Sequence, residues 1–273
     1  MRYVQTTFSL VTICLATACG TPMGDGSNSA PTGQLSQALW ANYGIVLIDR
    51  TGSMMTPRAT GKSRCEEALG VAKKKVDDFF SLGGSQIAVW TFSGSSTSSI
   101  TSGYVSAVQA KNAIGMLDPN GCGPVTPLAQ AICQGIDELK ASHPSTTSAR
   151  SNVLAVITDG GENASTGPCS GTDGPDDDTN SWRYKVLVRA MTKKVVLDTD
   201  YMTGNYLTAK GGVDPETGLT LPVRAGGYDP DHETLLNFAV MTNGSYELVQ
   251  DTDARYACSY GSCPAPYYSP VVW

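Results

Sequence analysis

The sequence predicts an α/β fold: a mostly parallel central sheet with helices on both faces. Three observations lead there. Short apolar runs suited to buried strands alternate with longer segments of helical period along the folded part of the chain. The runs at 43–48 and 152–158 are rich in Val, Ile and Leu, as in strands covered on both sides. Both runs stop abruptly at loop-forming residues, Asp49-Arg50-Thr51-Gly52-Ser53 and Asp159-Gly160-Gly161.

The first residues stand apart from the fold. Arg2 precedes an apolar run from Phe8 to Ala18, which is too short to span a bilayer and is followed by small residues. That is the layout of a secretory signal, here 1–18. Ala16-Thr17-Ala18-Cys19 resembles the lipobox of bacterial lipoproteins, although Leu15 sits one place upstream of the usual leucine. The resemblance implies a lipidated Cys19 and an anchor in the cell envelope, with Gly20 favouring the outer membrane. Cleavage after Ala18 without lipid is the alternative. Residues 19–37, rich in Gly, Ser, Pro, Thr and Asn, read as a flexible tether reaching roughly 20–25 Å.

The domain proper is placed at 38–255. Its first strand, 43–48, is followed by a helix over 63–82, with Ala68, Val71, Ala72, Val76, Phe79 and Phe80 at helical spacing. A second strand covers 87–92, a polar edge strand 98–104, and a helix 105–117. In the helix over 127–140, Leu128, Ile132, Ile136 and Leu139 share a face and Pro127 sits in the first turn. After the strand at 152–158, residues 162–179 are loop by composition, 181–192 a helix and 194–198 a strand. Residues 199–231 show no period and read as a long insertion with a hairpin near 215–218. A helix over 231–241, a turn at Asn243-Gly244 and a last strand at 246–249 close the domain. A Cys-, Pro- and aromatic-rich tail, 256–273, follows.

Charge and cysteine content narrow the function. The 273-residue chain has a net charge of −6, and its one basic run, Lys73-Lys74-Lys75, falls on the polar face of a helix. Nucleic acid and anionic membrane surfaces are therefore poor partners, and any membrane contact is through the N-terminal lipid alone. Cys65, Cys122, Cys133, Cys169, Cys258 and Cys263 form an even set suited to disulfides in an exported protein. Their pairing is open, with Cys258–Cys263 a weak local choice. No CxxC pair accompanies the two histidines, which argues against zinc.

The strongest signal is a set of hard oxygen donors at the predicted carboxyl ends of strands, where open α/β sheets bind ligands. Asp49, Thr51 and Ser53 follow the first strand, Asp159 follows the strand at 152–158, and Thr126 opens a helix. Two carboxylates and three hydroxyls suit Mg²⁺, or Mn²⁺ or Ca²⁺, with a position left open. Taken singly, Asp49 to Ser53 also fits a hydrogen-bonded turn, Asp159-Gly160 a simple turn and Thr126 an N-cap.

Together these residues resemble the metal-ion-dependent adhesion site of the von Willebrand factor type A domain. That family has Asp-x-Ser-x-Ser after its first strand, a Thr in a later loop and an Asp after its fourth strand. Here the matching positions are Asp49-x-Thr51-x-Ser53, Thr126 and Asp159, with Thr51 in place of the usual Ser. Residues 236–246 also look like the family's closing helix, turn and strand. The resemblance implies a three-layer, Rossmann-like type A fold and a non-enzymatic module whose protein partner offers an acidic side chain to the metal. Two departures are the long segment 199–231 and the lack of helical period after Val249. The competing readings are a metal-dependent hydrolase and a structural envelope protein without metal. The acidic run 173–178 lacks the EF-hand pattern and reads as a solvated loop. Gly167-Pro168-Cys169-Ser170-Gly171 lacks the preceding strand of a nucleophile elbow, so Cys169 reads as a disulfide partner.

Overall fold

The apolar run 43–48 becomes the middle of strand β1 (Asn42–Asp49), buried on both faces from Gly44 onward. The structure, a computed structural model, describes residues 42–58, 60–144, 152–202, 223–224, 227–228, 230–249 and 255–259. The chain divides into two units, Met1–Gln37 and Ala38–Trp273, and all described residues belong to the second. After β1 come a 3-10 turn (Gly52–Met55), α1 (Arg64–Ser81), β2 (Gly84–Ser93), β3 (Ser96–Ser99), α2 (Ala107–Gly115) and α3 (Leu128–Ser142). Then follow β4 (Asn152–Thr158), α4 (Trp182–Lys193), β5 (Val195–Met202), β6 (Val223–Arg224), β7 (Gly227–Tyr228), α5 (Pro230–Met241), β8 (Ser245–Val249) and β9 (Arg255–Ser259).

The main sheet has the order β3-β2-β1-β4-β5-β8-β9. Its five central strands are parallel, and β3 and β9 are antiparallel edges. Side chains alternate between two cores because successive strand residues face opposite ways. Ile45, Leu47, Leu154, Val156 and Leu197 pack with α3, α4 and α5, while Val46, Ile48, Ala155, Ile157 and Met202 pack with α1 and α2. This is the predicted three-layer α/β/α architecture with a mostly parallel sheet. Strand order reverses beside β1, whose two parallel neighbours are β2 and β4, so β1 and β4 flank the switch point.

Several boundaries differ from the sequence reading for local reasons. The polar edge strand lies at Ser96–Ser99, ahead of the expected 98–104. Val105 forms a bridge with Ile87 instead of starting a helix, and α2 begins after Ser106, whose N–H donates to Gln109 Oε1. Pro127 precedes α3 at the cap position rather than in its first turn. Strand β5 runs four residues past the expected 198. The expected last strand, β8, is followed by β9, which pairs with it from Ser245↔Ser259 to Val249↔Arg255. The predicted turn is present, with Asn243 in the left-handed region at φ 61°. The hairpin expected at 215–218, the signal, the tether and the tail past Ser259 lie outside the described residues.

The extension of β5 carries Asp198 and Asp200 onto the α1 side of the sheet. Asp200 is fully buried, and Lys75 of α1 reaches it with Nζ 3.2 Å from Oδ1. Burial pushes the Asp200 carboxyl up to about 7; Lys75 opposes that shift, while Glu247 of β8 and Asp198 add to it. Lys74 lies 3.4 Å from Glu247 on the same side. A carboxyl with a raised folded-state pKa binds more protons folded than unfolded between about pH 4 and 7. Its contribution to stability is therefore complete at low pH and lost as pH rises through that window. Urea titrations at pH 4.5 and 7.5 should show wild type losing more stability across the interval than Asp200→Asn does. Equal losses in the two proteins would remove Asp200 as the cause.

Candidate metal site

The parallel register sets Ile48 of β1 against Ile157 of β4, so the two strands finish side by side. Asp49 and Thr158 are their last residues, and Asp159 is the next residue along. Asp49 and Thr51 are fully buried, Thr126 and Asp159 nearly so, and Ser53 is exposed.

Hydrogen bonds join four of the five predicted donors into one cluster. The Thr51 N–H donates to Asp49 Oδ1 at 2.8 Å, and the Thr158 hydroxyl donates to Asp49 Oδ2 at 2.6 Å. The Ser53 hydroxyl donates to Asp159 Oδ1 at 2.8 Å and lies 3.3 Å from Thr51 Oγ1. Arg64, the first residue of α1 and itself buried, forms an ion pair with Asp159 Oδ2. Thr126 stands at the same edge, but its ties are through backbone: its N–H donates to Asn163 Oδ1 at 2.8 Å, and its carbonyl accepts from the Asn163 N–H at 3.1 Å. It does not cap α3.

Two loops close over the strand ends. Gly123 N–H donates to the Arg50 carbonyl at 2.6 Å, laying residues 121–125 against the segment after β1. A Cβ on Gly52 would stand 3.0 Å from the Gly123 carbonyl oxygen, so that close approach depends on glycine. Arg50 turns its guanidinium to the Asp118 carbonyl and so holds the start of the same loop. After β4, Gly160 and Gly161 take φ of 78° and 85°, and the chain doubles back toward α3. Glu162 Oε2 there accepts from the Ala129 N–H at 2.6 Å, and Ser165 Oγ accepts from the Gln130 N–H at 2.8 Å. Together they supply the caps that Pro127 cannot, with the Glu162 charge at the favourable end of the helix dipole.

Both disulfides among the described residues fasten these loops. Cys65, in the first turn of α1, is joined to Cys122, and Cys133 of α3 to Cys169. That settles the pairing for four of the six candidates and bears out the disulfide reading of Cys169. Cys19, Cys263 and the side chain of Cys258 lie outside the described residues. The acidic loop is tied to two helices: Arg183 of α4 pairs with Asp173 at 2.7 Å, and Asn237 of α5 donates to Asp176 at 2.8 Å.

Burial dominates the electrostatics of the two carboxyls. Burial, and then the nearby Asp159 charge, push the Asp49 carboxyl up to about 7, against the hydrogen bonds from Thr158 and Thr51. Burial also raises Asp159, although Arg64 opposes the shift. Two carboxylates are held out of water with a single guanidinium against them, a charge set that a cation would complete. Among the described residues no group of three or more His, Cys, Asp or Glu side chains is arranged to hold a metal ion by those side chains alone. The available donors are therefore carboxylate and hydroxyl oxygen, a set that fits Mg²⁺, Mn²⁺ or Ca²⁺ and not a thiolate- or imidazole-bound ion.

The fold and site define a doubly wound α/β domain with an oxygen-donor cluster at its switch point. The chain matches no protein-family model and no curated protein. Among solved structures it is similar to BatB, a conserved hypothetical protein from Bacteroides thetaiotaomicron, at 15% identity and TM-score 0.47, covering 77% of this chain and 91% of that one. It is similar at 16% identity and TM-score 0.45 to an aerotolerance-related membrane protein from Bacteroides fragilis, over 78% and 94% of the two chains. Proximal thread matrix protein 1 from the mussel byssus, in a form with a zinc-occupied adhesion-site motif, gives 17% identity and TM-score 0.40 over 62% and 40%. At these values the functional reading rests on the geometry of this chain alone.

Sequence reasoning missed Thr158, Arg64, Arg50 and Glu162, all of which hold the cluster in place. The Thr158 hydroxyl both donates to Asp49 and accepts from the Gly160 N–H at 3.1 Å. Thr158→Val keeps the shape and removes both bonds, leaving a buried carboxylate oxygen without a donor. In metal-free buffer it should cost about 1–3 kcal/mol in urea unfolding. A loss within error of zero would show that Asp49 finds another donor.

Proposed function

We propose that this chain is a binding module that holds a divalent cation through Asp49, Thr51, Ser53, Thr126 and Asp159 and captures a protein partner there. The observation that carries this reading is the burial of two carboxylates side by side at the switch point, joined by hydroxyl donors and short of positive charge. When bound, the ion would offer an open coordination position to an acidic side chain of the partner. The residues of this chain contribute the rest. The Thr51 N–H and Thr158 hydroxyl fix the orientation of Asp49, Ser53 positions one oxygen of Asp159, and the loops around Gly123 and Glu162 set the rim. Mg²⁺ is the preferred candidate because it keeps waters and needs only a partial protein shell.

Holding a partner, rather than turning over a substrate, is supported by where the histidines lie. His143 follows α3 and stacks on Tyr43 at 3.3 Å, at the start of β1 and so at the opposite edge of the sheet from Asp49. His232 opens α5, away from the β1 and β4 ends in sequence. No general base stands among the five donors beyond the two carboxylates themselves. Asp49→Ala should abolish Mg²⁺ binding in calorimetry and should also abolish chelator-sensitive capture of partner from envelope extracts. Undiminished Mg²⁺ affinity in that variant would remove the assignment.

The N-terminal resemblance to lipoproteins extends the proposal to location: export, lipid on Cys19, and residues 20–37 as a spacer from the membrane. No described helix is long and apolar enough to cross a bilayer, so retention at the membrane is assigned to the lipid. Cys19→Ser should move the protein to the soluble fraction after membranes are pelleted. A processed Cys19→Ser chain that stays in the pellet would rule out the lipid anchor.

A further inference from the structure

The site contains one fixed positive charge that neither the motif nor the proposed metal reading requires. Arg64 is buried, and its position is set from three sides. Its own N–H donates to the Thr56 carbonyl at 3.1 Å, Ser63 before it caps α1, and Cys65 after it is bridged to Cys122. The guanidinium thus meets Asp159 as a built feature and not as a loose side chain that swung in.

We propose that Arg64 is a resident counter-cation of the site, holding one oxygen of Asp159 so that divalent metal binds weakly alone and more strongly when an anionic ligand arrives with it. The proposal rests on the metal reading above and concerns its regulation. All four carboxylate oxygens of Asp49 and Asp159 accept a hydrogen bond from the protein. Three of those donors are neutral: the Thr51 N–H and the Thr158 and Ser53 hydroxyls. A neutral donor can keep its bond to one lone pair, or turn its hydrogen away, as a cation takes another. Arg64 alone carries charge, and like charges repel most strongly where water is scarce.

The charge count gives the direction of the effect. Two carboxylates and one guanidinium leave one negative charge in a site removed from water. A dication turns that into one positive charge, and an incoming carboxylate brings it to zero. Without Arg64, the dication alone neutralises the two carboxylates, and an anionic ligand would add a charge with nothing against it. Arg64 therefore moves affinity from the bare metal to the metal and acidic ligand together. By linkage, whatever factor the anion adds to metal binding, the metal adds to anion binding. A domain of this kind stays largely empty until its partner is present.

The test uses the full chain, with Mg²⁺ as the metal and acetate as the anion. In calorimetry Arg64→Gln should bind Mg²⁺ about tenfold or more tightly than wild type. Arg64→Lys, which keeps the charge, should stay near wild type. Acetate should raise the Mg²⁺ affinity of wild type more than that of Arg64→Gln. Thermal melting gives an independent readout: Arg64→Gln should melt below wild type without metal, because Asp159 loses its partner, and saturating Mg²⁺ should recover most of that loss. An Arg64→Gln protein that binds Mg²⁺ no better than wild type, while Asp49→Ala loses binding, overturns the counter-cation role and leaves the metal site standing. Absence of Mg²⁺ binding in wild type and Arg64→Gln alike overturns both readings.

Discussion

Two carboxylates held side by side out of water constrain everything around them. Asp49 cannot leave the end of β1 without breaking its pairing with Phe92 of β2, and Asp159 follows directly from the end of β4. A buried carboxylate with no donors costs several kcal/mol, so the neighbouring backbone and side chains are arranged to supply them. Thr51 turns its N–H back onto Asp49, Thr158 ends its strand with a hydroxyl, and Arg64 begins its helix within reach of Asp159. The 3-10 turn, the start of α1 and the two glycines after Asp159 follow as the backbone paths that put those donors in place.

The same need ties the stability of α3 to the shape of the carboxylate cluster. Helix α3 lacks a capping side chain at Pro127 and takes its caps from Glu162 and Ser165, in the loop that leaves Asp159. The loop thus serves α3 and the carboxylate cluster together, and a change that loosens one disturbs the other. At the same edge Arg58 pairs with Glu67 at 2.8 Å and donates to the Val249 carbonyl at 3.0 Å, which ties the approach to α1 to the end of β8.

Most of the architecture was readable because burial imposes period. Strands β1 and β4 announce themselves by near-continuous apolar residues, and α1 and α3 by apolar positions that repeat at helical spacing. The donors Asp49, Thr51, Ser53 and Asp159 were legible because each sits where an apolar run gives way to loop chemistry. What stayed hidden depends on register or on distant partners. Thr158 reads as one more β-branched strand residue, and only the pairing of Ile48 with Ile157 makes it a ligand for Asp49. Glu162 caps a helix residue thirty-three positions earlier in the chain, a link no local window contains. The end of β5 escaped because Asp198 and Asp200 break the apolar pattern, and their compensation by Lys75 comes from another layer. Strand β9 is short and polar at its start, and it is defined by the edge of β8 it completes.

The placement of the two disulfides among the described residues has a consequence for the order in which the fold is completed. Both bonds close at the edge that carries the carboxylates, one pinning the turn that bears Arg64 to the loop ahead of Thr126, the other pinning α3 to the segment that follows Glu162. Neither stitches the sheet itself, whose apolar strands assemble by burial alone. A chain in a reducing cytosol therefore has the means to form its core yet lacks the covalent ties that hold its loops in register. Those ties form only under oxidising conditions. Among the described residues, oxidation therefore acts on the carboxylate edge and not on the sheet, so a reduced chain can build its core while the loops around Asp49 and Asp159 are still untied.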